Sequence, residues 1–183
     1  MALLTLDLSK RSAGWALWRP GMDLPVCGTW ELGSEVTTAG RAFARLHERM
    51  NDIHRVTPLD EVRWEEPLLL GMGSHHSTPE TQHVLIGLAA HAESFCEAVG
   101  IRRRGAVSAA TWRRHFLGKL PRGTRSADLK QMAMEACCRL GMAPTRHDAA
   151  EACGILDHAL FLGGVKPPWR IPAGETLFER SAA

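Results

Sequence analysis

Three stretches of the 183-residue chain carry carboxylates where a soluble core does not choose them. Asp7 stands in the apolar run Leu3-Leu4-Thr5-Leu6-Asp7-Leu8. Glu65-Glu66 closes the run Glu61-Val62-Arg63-Trp64, and Asp148 and Glu151 sit among the alanines of His147-Asp148-Ala149-Ala150-Glu151-Ala152-Cys153-Gly154. A charge inside an apolar segment is expensive unless something pairs with it. If these acids meet, each pair about 5 Å apart repels by roughly 3 kcal/mol at an effective dielectric near 20. Four together would consume much of a domain's ordinary stability of about 5–15 kcal/mol. A divalent cation removes that cost, and oxygen donors without thiolates suit magnesium or manganese. The chemistry of such a cluster is phosphoryl transfer, in which two metals about 4 Å apart activate a water and steady the leaving oxygen.

The elements that must position these acids follow from periodicity. Leu3 to Leu8 has the unbroken apolar character of a central strand. Ser9 to Ser12 makes a turn, Ala13 to Trp18 resumes as a second strand, and Val26 to Leu32 reads as a third. Phe43, Leu46, Met50 and Ile53 recur at helical spacing between Thr38 and Val56, and Thr57-Pro58 ends that helix. Glu61 to Glu66 is a short fourth strand stopped by Pro67, and Glu80 to Val99 a long helix. Ile101 to Val107 is a fifth strand, whose three arginines place it at an edge or a sheet end. Ser108 and Ser126 are expected to cap two further helices, and the last helix runs from His147 to Leu162. On that helix Asp148 and Glu151, three apart, share a face, and the small residues around them permit close approach to a sheet. The order predicts one α/β domain: a mixed five-stranded sheet with helices on both faces, over residues 1–164, with a tail at 165–183.

Composition fits this. A hydrophobic fraction of 45% and a charged fraction of 23% are those of a globular protein, and no run is apolar enough to span a membrane. The start lacks the charged-then-apolar order of a signal peptide, so a cytosolic location is expected. The five cysteines have no CxxC spacing and read as buried thiols. The net charge of +2 is small, but its distribution is not even. Between Arg102 and Lys130 the chain carries Arg102, Arg103, Arg104, Arg113, Arg114, Lys119, Arg122, Arg125 and Lys130, against the single acid Asp128. That clustering is the footprint of a polyphosphate partner. Lys130, which follows the basic linker into a helix, is the best candidate for a phosphate contact near the acids. The loop Gly71-Met72-Gly73-Ser74-His75-His76 is a further candidate for reaching substrate, and its adjacent histidines point apart rather than toward one metal.

At these residues the chain resembles the RuvC-type Holliday-junction resolvases of the RNase H-like nuclease superfamily, closest to the short forms carried by phages and prophage-like elements. Leu6-Asp7-Leu8-Ser9-Lys10-Arg11-Ser12-Ala13-Gly14-Trp15-Ala16 resembles the family's first strand and hairpin with its catalytic aspartate. Trp64-Glu65-Glu66-Pro67 resembles the strand with the catalytic glutamate, and His147-Asp148-Ala149-Ala150-Glu151-Ala152 the final helix with two metal-binding acids. Ala110-Thr111-Trp112 onward to Gly118, then Lys130, is similar to the region between. The resemblance implies an RNase H-like fold, two Mg²⁺ ions replaceable by Mn²⁺, and a homodimer that cuts four-way junctions. Asp7, Glu65, Asp148 and Glu151 would be the ligands, with Glu66 the register alternative to Glu65. Lys10, Arg113, Arg114, Lys119, Arg122, Arg125 and Lys130 would be the DNA contacts. One departure stands out: the last acid of the family is usually Asp, and here it is Glu151, longer by a methylene.

Fold alone does not fix a substrate. The competing readings are an RNase H-like nuclease acting on RNA–DNA hybrids, forks or flaps, and a non-catalytic adaptor for branched DNA on the same fold.

Overall fold

The computed structural model describes residues 1–67 and 78–171. The loop at 71–76 and the tail beyond 171 lie outside the described residues. Ten main elements follow in order: β1 (Leu3–Leu8), β2 (Ser12–Trp18), β3 (Val26–Glu31), α1 (Ala39–Val56), β4 (Glu61–Glu65), α2 (Pro79–Ala98), β5 (Arg103–Val107), α3 (Ala109–Leu117), α4 (Ser126–Arg139) and α5 (His147–Leu162). The sheet order is β3-β2-β1-β4-β5, with β1 central and the arginine-bearing β5 on an edge. β1, β2 and β3 pair antiparallel, whereas β1, β4 and β5 run parallel, so the sheet is mixed.

Alternation along β1 sends its side chains to two cores. Leu4 and Leu6 join Val62 and Trp64 of β4 beneath α1 and α2, where Leu46, Met50, Leu88 and Phe95 are buried. Leu3 faces the other way, into a core built by Trp112 and Phe116 of α3, Ala133 of α4, and Ile155, Leu156 and Leu160 of α5. Each fully buried aliphatic side chain contributes about 1.5–3 kcal/mol. Helices therefore cover both faces.

The helix α5 comes unusually close to the sheet, and small residues are the reason. Ala149, Ala150, Ala152 and Cys153 are fully buried, and the hydroxyl of Thr5 donates to the carbonyl of Ala152 at 2.8 Å. Gly14, opposite Asp7 in the β1–β2 ladder, meets the helix backbone: a Cβ there would lie 2.0 Å from the carbonyl oxygen of Asp148. On the far side of α5, a Cβ on Gly154 would lie 2.6 Å from the Trp112 ring.

Some expectations change at the margins. Arg125, not Ser126, is the residue before α4, and neither Ser108 nor Arg125 makes a side-chain capping bond. Backbone conformation and packing start these helices without a hydroxyl cap. The five cysteines are free; Cys138 is exposed and Cys27 half-buried, while the other three are buried. Beyond Gly164, Val165 and Trp169 pack on the α5 core, and Pro168–Arg170 forms a turn of 3-10 helix. No helix among the described residues is long and apolar enough to cross a membrane.

Candidate metal centre

Parallel pairing of β1 with β4 decides which acids meet. Leu4 pairs with Val62 and Leu6 with Trp64, all four in the same core. By alternation Glu65 then shares the opposite face with Thr5 and Asp7. Glu66 lies past the last residue of β4, is exposed, and its backbone N–H donates to Val107. Both strands end at the same edge, and α5 brings its first turns over it because Gly14 and the alanines allow the approach.

Asp7, Asp148 and Glu151 each present a carboxylate oxygen, and the three oxygens lie within 4.8 Å of one another. Asp148 is steadied by the Ser12 hydroxyl, which donates to Oδ2 at 2.7 Å, and its Oδ1 lies 3.8 Å from Lys130 Nζ. It also sits in the first turn of α5, where the helix dipole favours negative charge. Glu65 stands beside this triad rather than in it. Its Oε2 accepts the indole N–H of Trp112 at 2.8 Å and lies 3.5 Å from Arg113 Nη2. The same guanidinium nitrogen is 3.1 Å from Oε1 of Glu151, and the Arg113 guanidinium lies over the Trp112 ring at 5.1 Å.

The electrostatics match the crowding. Burial first, then the charges of Glu151, Glu65 and Asp148, holds the Asp7 carboxyl well above its usual range, with Lys130 opposing. Burial likewise raises Glu151, and Arg113 opposes that rise. A carboxylate so disfavoured by its neighbours is one that a cation would relieve. The donors fit such an ion: three carboxylate oxygens and no thiolate form the set preferred by hard ions such as Mg²⁺.

No protein-family profile matches the chain, and no curated relative does. Solved structures do match. Thermus thermophilus RuvC in complex with a Holliday-junction substrate superposes with a TM-score of 0.65 at 15% identity, over 90% of this chain and 96% of that one. A second Thermus thermophilus RuvC structure gives a TM-score of 0.62 at 18% identity, over 91% of this chain and 99% of the other. The chain has the RuvC fold.

On this RuvC fold, the basic residues separate into three groups. Arg103 and Arg104 lie at the start of β5, the end of the sheet away from the acids, and pair with Glu61 and Glu97. Arg113 is turned inward onto the carboxylates, and Lys130 stands beside Asp148. Arg114, Lys119, Arg122 and Arg125 are exposed, and Arg125 lies 3.9 Å from Asp128. Lys10, on the turn after β1, pairs with Glu80 at 2.8 Å. His147 is exposed at the start of α5.

Three residues of the RuvC-fold site carry no chemical signal of their own in the sequence. Ser12 reads as a turn residue, Trp112 as core, and Gly14 as strand. Their only trace was membership of the two segments that resemble the resolvase family, Leu6 to Ala16 for Ser12 and Gly14 and Ala110 to Gly118 for Trp112.

Proposed function

We propose that this chain is a metal-dependent endonuclease that hydrolyses phosphodiester bonds in branched DNA, four-way junctions foremost. The observation that carries this is the convergence of Asp7, Asp148 and Glu151, from a central strand and the final helix, on a fold shared with RuvC. The complex of the Thermus protein with a junction substrate supports the choice of DNA. Asp7, Asp148 and Glu151 would hold Mg²⁺, with Glu65 beside them. The ion supplies Lewis acidity at the phosphate and a water made nucleophilic near neutral pH. Ser12 orients Asp148, and Gly14 lets α5 deliver its acids to the strand. Lys130, 3.8 Å from Asp148, would meet a phosphate at the mouth of the cluster. Arg114, Lys119, Arg122 and Arg125 present exposed charge along which a backbone is held without base recognition. A homodimer acting in the cytoplasm supplies one such site to each of two strands.

The test is cleavage by the purified protein of labelled four-way junctions, forks and RNA–DNA hybrids, with Mg²⁺, Mn²⁺ or chelator. Paired symmetric nicks in the junction, abolished by chelator and by Asp7→Asn, are expected, with junction binding retained by the variant. Cleavage of hybrids alone would move the substrate to RNA–DNA. Tight junction binding with no cleavage in either metal would identify an adaptor.

A further inference from the structure

We infer that the Arg113 guanidinium occupies the position of a second cation, so that each chain binds one divalent ion rather than two. The inference rests on the metal-centre reading above and deepens it.

Four carboxylates crowd this edge of the sheet, but they are not equivalent. Asp7, Asp148 and Glu151 can reach one small ion together. Glu65 already has protein partners on Oε2. Trp112 Nε1 donates to its Oε2 at 2.8 Å, and the Arg113 guanidinium lies 3.5 Å from the same oxygen and 3.1 Å from Glu151. A permanent positive charge thus sits between the two glutamates, and a second divalent ion beside Glu65 would meet it as a like charge. Guanidinium stays charged at any pH the fold survives, and its planar fork suits two carboxylates at once.

The placement of that charge is built into the core. Trp112 is fully buried on α3, and its ring packs where Gly154 of α5 lacks a side chain. The same indole fixes Glu65 through its N–H and supports the guanidinium on its face, 5.1 Å from the ring centre. Three-quarters of the Arg113 side chain is shielded, so water screens the contact weakly. The unusual Glu at 151 belongs to the same arrangement. It contributes an oxygen to the triad and receives Arg113 on Oε1, a double reach that the extra methylene serves. Arg113 and Glu151 are therefore one device.

The test is divalent-ion stoichiometry on the full chain without DNA, by Mn²⁺ electron paramagnetic resonance and calorimetric titration. Wild type is expected to bind one Mn²⁺ per chain. Arg113→Gln and Arg113→Ala are expected to bind two, the second in exchange coupling with the first. In junction cleavage the Mg²⁺ dependence is expected to change from a Hill coefficient near 1 in wild type to near 2 in the variants. Circular dichroism confirms that the variants are folded, and the wild-type count stands as a test without them. Two coupled ions in wild type would overturn the inference and leave the metal centre intact, since Arg113 would then swing aside when ions enter. One ion in both folded variants would overturn it equally. No ion in wild type would remove the metal centre and the inference together.

Discussion

The two ends of α5 each hold a buried acid, and the two are treated in opposite ways. Toward the C-terminal end, Asp157 is 1% exposed and fully paired by the protein. Arg170 donates from Nε at 3.0 Å and from Nη2 at 2.7 Å, Trp169 Nε1 donates at 2.7 Å, and His115 Nε2 lies 3.0 Å away. Toward the N-terminal end, Glu151 is as deeply buried, yet faces Asp7 and Glu65, with Arg113 in partial compensation. A carboxylate that serves structure is met by donors. The acids proposed to hold an ion instead face other carboxylates, a repulsion that a bound cation would relieve.

Removing one acid from each end should break this symmetry most visibly. Asp157→Asn leaves Arg170 without its partner charge and is expected to lower stability by about 2–3 kcal/mol, allowing for the partial exposure of that arginine. Asp7→Asn relieves repulsion and is expected to raise the thermal midpoint in chelator, while junction cleavage falls on the order of a thousandfold. Thermal melts of the two variants with and without Mg²⁺ check the opposite signs, and a destabilised Asp7→Asn in chelator would refute the account of the cluster.

The close approach of α5 comes next in size. Gly14→Ala sets a methyl group against the Asp148 carbonyl and is expected to cost about 1–3 kcal/mol. It should also weaken ion binding roughly tenfold by displacing the helix, an effect equal to about 1.4 kcal/mol. Calorimetry on the variant measures both.

A smaller effect concerns pH. The folded state holds a proton on Asp7 more tightly than the unfolded chain does, because its pKa is raised above the usual 3.8. In chelator this group's destabilising contribution is therefore full above its folded pKa and vanishes as pH falls toward 3.8. The gap in stability between wild type and Asp7→Asn should accordingly close on acidification, and denaturant melts across that range would show it. Saturating Mg²⁺ should remove the gap's dependence on this proton at neutral pH. Smallest is Ser12→Ala, which deletes one hydrogen bond to Asp148 and should weaken ion affinity several-fold, about 1 kcal/mol.

Much of this architecture was legible beforehand because it is local. The apolar run around Asp7, the helical spacing of Asp148 and Glu151, and the prolines that end elements all act over a few residues. The three arginines between Ile101 and Val107 marked an edge or a sheet end, and β5, which keeps two of them, lies on an edge. The basic cluster was less transparent, since one stretch of sequence delivered charge to three places: Arg103 to Glu61, Arg113 to the acids, and Arg122 to solvent. The segment after Gly164 has no periodicity, and its role became visible only through Trp169 and Arg170 on Asp157.

By itself the sequence determined the elements and which acids lie on them, because periodicity fixes a side chain's face within its own strand or helix. Which acids meet was decided only in three dimensions. The parallel register of β4 on β1 puts Glu65 on the face of Asp7, and the missing side chain of Gly14 lets α5 close the distance. The packing of Trp112 against Gly154 aims Arg113 inward. Contacts between elements depend on register and on the room left by small residues, and neither is written in the spacing of any one segment.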